Sequence, residues 1–92
     1  MRVKFTPRAL RDLERICHYI ATDSPAAATR VSAAIWTLAG MLSEQPDVGR
    51  RTSRDGVRSI PTPRLPYIVF YRPLDGEIEI LNVRDGRRRP LP

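Results

Sequence analysis

The sequence predicts an α+β domain of order β-α-α-β-β-β, an antiparallel sheet with an αα-hairpin packed on one face. Two observations point to the helices. Thr6-Pro7 and Ser24-Pro25 each place a hydroxyl before a proline, and apolar residues at three- and four-residue spacing follow both pairs. A third points to the sheet. Two β-rich runs, residues 67–72 and 77–83, flank Pro73-Leu74-Asp75-Gly76, and Asp-Gly between such runs is a strong hairpin signal. With 92 residues, no internal repeat and no Gly/Ser linker, one domain over residues 1–92 is expected.

Taken in order, Val3-Lys4-Phe5 alternates as an edge strand does. The first helix then puts Leu10, Leu13, Ile16, Cys17 and Ile20 on its apolar face, with Arg8, Arg11, Asp12, Glu14 and Arg15 read as a solvated face. Cys17 lies in the apolar stripe and reads as a small buried thiol. His18 is the only histidine, and no acidic or cysteine cluster stands at ligand spacing, so neither a metal nor a cofactor is expected. The second helix buries Ala27, Val31, Ala34, Ile35, Leu38, Met41 and Leu42. Trp36 and Ala39 widen that face, and Gln45-Pro46 ends the helix. Residues 47–54 read as a loop, residues 56–60 as a short strand, and the proline-rich residues 61–66 as a rigid connection.

Both alternating sets of the hairpin are apolar. Tyr67, Val69 and Tyr71 fall on one side of the first strand, Ile68 and Phe70 on the other. In the second strand, alternation sets Ile78 and Ile80 against Leu81 and Val83. Helices can cover one face only, so the other is expected to meet a protein partner.

Composition bounds the function. The net charge is +6, and residues 50–92 carry ten arginines against five acidic residues. Such a surface steers toward nucleic acid or an acidic protein. No apolar run spans a bilayer, the N-terminus lacks a secretory core, and the lone Cys17 suits a reducing compartment. A cytoplasmic location without membrane attachment is expected.

The element order, the opening Val-Lys-Phe-Thr-Pro-Arg-Ala-Leu-Arg-Asp-Leu, the Gln-Pro-Asp-Val-Gly-Arg break, the Ile-Val-Phe-Tyr-Arg strand and the closing Glu-Ile-Leu-Asn-Val-Arg-Asp-Gly-Arg-Arg together resemble the RelE/ParE superfamily. These are the toxins of bacterial type II toxin–antitoxin modules, known for growth inhibition and plasmid stabilisation. The resemblance covers essentially the whole chain. It implies a cognate antitoxin and a hetero-oligomer with it. It also offers two mechanisms. RelE-like members cut mRNA in the ribosome, a metal-independent endonuclease chemistry that needs proton-transfer groups and cations around the phosphate. ParE-like members are associated with inhibition of DNA gyrase and have no known catalytic residues.

The chain departs from the RelE-like pattern. Ile68 stands where an arginine is expected after Tyr67, Asp85 where many members have histidine, and no tyrosine follows the terminal arginines. Arginine alone is a poor general base. The resemblance therefore favours a ParE-like inhibitor with no catalytic residues. Arg84, Arg87, Arg88 and Arg89 would then bind the target, and Ile68, Phe70 and Arg72 the antitoxin. The alternative is a ribosome-dependent endoribonuclease using Arg58, Arg84 and Arg88.

Overall fold

The computed structural model describes residues 1–87 of the chain. Strand β1 (Arg2–Phe5) leads into helix α1 (Pro7–Ala21), and helix α2 (Pro25–Glu44) returns. Four strands follow: β2 (Arg50–Arg51), β3 (Arg58–Pro61), β4 (Tyr67–Leu74) and β5 (Glu77–Asp85). The sheet order is β1-β5-β4-β3-β2.

Both helix starts form as their sequences dictate. The Thr6 hydroxyl accepts from the Ala9 N–H at 3.1 Å, and Ser24 Oγ accepts from the Ala27 N–H at the same distance. Each cap precedes a proline whose missing N–H costs nothing at that position. Gln45 closes α2, with Pro46 beyond it. The β4–β5 turn is the two residues Asp75 and Gly76, with φ of 51° and 77°. Two left-handed residues match the twist of a tight hairpin, and Asp-Gly tolerates that geometry best.

The sheet is mixed rather than wholly antiparallel. β1 runs parallel to β5, with Val3 beside Ile78 and Phe5 beside Ile80. The αα-hairpin carries the chain away from the sheet and back, so the first strand pairs with the last. β2 is a fifth strand inside a stretch expected to be loop. It is two arginines long, so it shows no apolar alternation.

The helices cover one face of the sheet. Val69, Tyr71, Ile78, Ile80 and Val83 are sealed beneath Leu13, Ile16, Ile35, Leu38 and Leu42. Val83 belongs to this face, contrary to strict alternation along residues 77–83. Tyr71 pairs with Ile80 and Phe70 with Asn82, which leaves Leu81 as an extra residue in β5. That bulge reverses the parity of everything after it.

Three side chains on the helices sit otherwise than their spacing predicts. Asp12 is 7% exposed, not solvated. β1 stops alongside Ile80, and past that point α1 takes over the edge of β5. The Thr6 hydroxyl donates to the Leu81 carbonyl (2.9 Å), and the Val83 N–H donates to Asp12 Oδ2 (3.0 Å). A buried N–H needs an acceptor, and Asp12 supplies it. Leu10, expected within the apolar stripe, is instead exposed. Trp36 is also outside the core, 51% exposed, with its ring 4.2 Å from that of Phe5. The inward positions of α2 are filled by Ala28, Val31, Ile35, Leu38, Ala39 and Leu42, and Trp36 falls a quarter-turn away, over the edge strand.

Candidate functional site

The face of the sheet without helices carries the residues expected to meet an antitoxin. Ile68, Phe70 and Arg72 alternate along β4 on that face, and cross-strand pairing sets Arg84 opposite Ile68 and Glu79 opposite Arg72. The apolar groups here are half-buried by charged neighbours. The Arg84 guanidinium lies 5.3 Å from the centroid of Phe70, within reach of the ring's negative face. Arg72 Nε and Nη2 both donate to Glu79 Oε1, at 3.2 and 2.7 Å. Gly86 closes the end of the patch. Its N–H donates to the Pro66 carbonyl, and a Cβ there would sit 3.0 Å from Ile68 Cδ1.

Arg87 lies beyond the end of β5. Its guanidinium grips Asp85 through two bonds, Nε to Oδ1 at 3.1 Å and Nη2 to Oδ2 at 2.9 Å. The Asp85 hydrogen bond, and then its charge, push the Arg87 pKa further up. This pair borders a cleft of about 560 Å³ between α1 and the end of β5, where Arg8, Asp12, Arg15 and Tyr19 form the opposite wall. The spacing of Arg8, Asp12, Arg15 and Tyr19 along α1 carries the signal for this wall, since residues three and four apart share a helix surface. Arg8, Asp12 and Arg15, expected as a solvated face, line this cleft together with Tyr19, to which the sequence pattern gives no role. Tyr19 is 76% exposed and holds no core contact in place. Two of the four arginines expected to meet a target, Arg84 and Arg87, are thus placed around the end of β5. Arg88 and Arg89 lie outside the described residues.

Arg58 is placed differently. It pairs with Tyr71 and so leaves the sheet on the helix side, whereas Arg84 leaves on the open side. Its Nη1 donates to the carbonyls of Gly49 (2.8 Å) and Asp47 (3.2 Å), and its Nη2 lies 3.7 Å from the Asp47 carboxylate. The side chain is 20% exposed. Beside it, the buried Tyr71 hydroxyl donates to the Pro46 carbonyl and accepts from the Gly49 N–H, both at 2.8 Å. Arg58 and Tyr71 together fasten residues 46–49 to the sheet.

The remaining candidates are chemically quiet. The Cys17 thiol donates to the Ala28 carbonyl at 3.8 Å, and burial pushes its pKa up, which disfavours a thiolate. His18 is exposed on the last turn of α1. Burial, then the charge of Asp85, pushes the Tyr67 phenol up. Among the described residues no group of His, Cys, Asp or Glu is placed to hold a metal ion, and no helix is long and apolar enough to cross a membrane.

Comparison with known proteins decides the family. The family model for the ParE toxin of the type II toxin–antitoxin system parDE matches residues 3–90. The chain belongs to the ParE toxin family. It is 42% identical over 88 residues to the putative toxin Y4kP of Sinorhizobium fredii, covering 96% of this chain and 91% of that one. It is 36% identical over 87 residues to toxin RelE2 of Caulobacter vibrioides, covering 95% and 97%. Among solved structures, the chromosomal ParDE TA system from P. aeruginosa superposes with a TM-score of 0.80 at 28% identity, covering 92% of this chain and 95% of that one. The chain is therefore a toxin of a type II toxin–antitoxin system, and its family implies an antitoxin as partner.

Proposed function

We propose that this ParE-family toxin acts in the cytoplasm by binding DNA gyrase and inhibiting it without catalysis, and that a cognate antitoxin neutralises it. The placement of Arg58 carries this reading. A ribonuclease would need Arg58 and Arg84 to converge on one phosphate, yet they leave the sheet on opposite faces, and Arg58 is engaged by two loop carbonyls. Arginine also lacks the accessible pKa that proton transfer requires. The basic end of β5, with Arg84 and Arg87 followed by Arg88 and Arg89 in sequence, is the target-binding element. The antitoxin covers Ile68, Phe70 and Arg72. Their half-buried apolar surface and the adjoining guanidinium groups suit an acidic, amphipathic segment.

The first test is pulse-labelling of DNA and protein synthesis after induction, paired with supercoiling by purified gyrase. DNA synthesis should fail first, and purified toxin should block supercoiling. Replacing Arg84 and Arg87 by alanine should weaken that block by at least about tenfold, as truncation of interface arginines commonly does. Unchanged potency would remove them from the target site. The similarity to toxin RelE2 supports one second reading, a metal-independent, ribosome-dependent endoribonuclease using Arg58, Arg84 and Arg88. In that case translation collapses first, and codon-phased mRNA cuts vanish when ribosomes are left out.

A further inference from the structure

The outward faces of the two helices differ in charge. α1 carries Arg8, Arg11, Asp12, Glu14 and Arg15 within its first nine residues. α2 is twenty residues long and carries two charges, Arg30 and Glu44. Both are exposed, and neither makes an ion pair among the described residues. Between them the outward face presents Ala33, Trp36, Thr37 and Gly40, all exposed. Trp36 packs against Phe5 with its ring tilted by 36° and extends the uncharged surface toward the edge of the sheet, while the charged Met1 amino group bounds it, donating to the Ser43 carbonyl at 3.2 Å. A helix that is largely apolar on its outward side as well as its inward side is ordinarily covered.

The two charges identify what covers it. Arg30 and Glu44 stand seven residues before and seven residues after Thr37. Two heptads return close to the same line on a helix, so all three share one stripe. Two copies of α2 laid antiparallel about a twofold axis at Thr37 bring Arg30 of each against Glu44 of the other. Ala33 then lies within one residue of Gly40 of the second copy along the axis, and Thr37 faces itself. A parallel arrangement would set Arg30 against Arg30 and is disfavoured. The pattern is complementary to itself, as an interface about a twofold axis must be.

We infer that the α2 outer face is a homodimer interface, with a second copy of this chain as its occupant. The net charge of +6 opposes contact between copies, and the α2 stripe, with one positive and one negative side chain, does not add to that repulsion. Gly40 fits the same geometry. It occupies an exposed helix interior with nothing within 4 Å of where its Cβ would stand. A glycine there weakens an isolated helix, and the open space lets a second backbone approach.

Sedimentation equilibrium of the purified full chain, over micromolar to millimolar concentration, tests this. The wild-type mass should rise from that of one chain to that of two. Thr37→Arg sets two guanidinium groups against each other across the axis and should weaken association by more than about tenfold. Arg30→Glu should weaken it by several-fold, and the exchange Arg30→Glu with Glu44→Arg should restore it. All three positions are exposed, and an unchanged unfolding midpoint for each variant, read at the dilute end where the wild type is one chain, separates dissociation from misfolding. A wild-type chain that stays monomeric throughout overturns the proposal. So does a dimer that Thr37→Arg leaves intact, and so does a charge exchange that fails to restore association.

Discussion

The two faces of the β4–β5 hairpin are made by the same strands and solve the burial of apolar groups in different ways. On the helix side, Val69, Tyr71, Ile78, Ile80 and Val83 are removed from water by other apolar side chains. On the open side, Ile68 and Phe70 are only half covered, and their cover is charged: Arg84 over the Phe70 ring, the Arg72–Glu79 pair beside it. The first arrangement is permanent because displacing it would open the core. The second can be exchanged. In the proposed function, the antitoxin takes over both contacts by offering an apolar surface and its own carboxylates. One face thus holds the hairpin, and the other keeps it available.

Truncating one side chain on each face is the sharpest way to break this contrast. Ile80→Ala should cost about 2–5 kcal/mol in denaturant unfolding, through lost transfer energy and the cavity left behind. Phe70→Ala removes more atoms but from a half-exposed site, and should cost no more than about 1–2 kcal/mol. Equal losses would mean that the open face is part of the core. Asp12→Ala comes next, at about 1–3 kcal/mol, because it orphans the buried Val83 N–H. Asp12→Asn keeps a carbonyl acceptor and should recover much of that loss.

Tyr71 adds a dependence on pH. Burial, opposed by the Gly49 hydrogen bond and then by Arg58, leaves its pKa above the ordinary value. The folded state therefore holds the phenolic proton more tightly than the unfolded chain. The stabilisation is fully present below the unfolded pKa of about 10 and is lost as pH rises through the folded value. Tyr71→Phe should cost about 1–2 kcal/mol at neutral pH, for the Pro46 and Gly49 groups it leaves unpaired. That cost should shrink in alkaline solution, and a cost constant with pH would remove the phenol as its source. The smallest effect has the opposite sign. Thr62 is buried, and its hydroxyl has no hydrogen-bond partner among the described residues. Thr62→Val should raise stability by about 1 kcal/mol, read as a higher unfolding midpoint.

How much of this was legible in the sequence depended on distance along the chain. Thr6-Pro7, Ser24-Pro25, Gln45-Pro46 and Asp75-Gly76 act on their immediate neighbours, and each marks its boundary in the structure. The open face was legible on β4, where Ile68 and Phe70 alternate with buried Val69 and Tyr71, but not on β5, where the bulge at Leu81 returns Val83 to the helix side. The illegible features depend on remote partners. The pairing of β1 with β5, and the use of Asp12 as an acceptor for Val83, link residues some seventy positions apart. Nothing near Asp12 distinguishes it from Glu14. Trp36 left the core because smaller residues already filled the inward face of α2, which spacing alone does not weigh. The helix-side position of Arg58 follows from its register with Tyr71, and two-residue β2 carries no pattern to read.

The extra residue at Leu81 has a consequence for how this strand tolerates changes in length. Before the bulge, losing one residue displaces core groups: without Glu79, Ile80 would take its outward place opposite Arg72. Losing Leu81 would instead regularise the ladder, joining Ile80 directly to Asn82 with Val83 still inward. The Leu81 carbonyl is held by the hydroxyl that caps α1, so the helix start holds the surplus residue in place. In a scan of single-residue deletions, positions 81 and 82 should be where this strand can be shortened with Val83 kept inward and Arg84 outward.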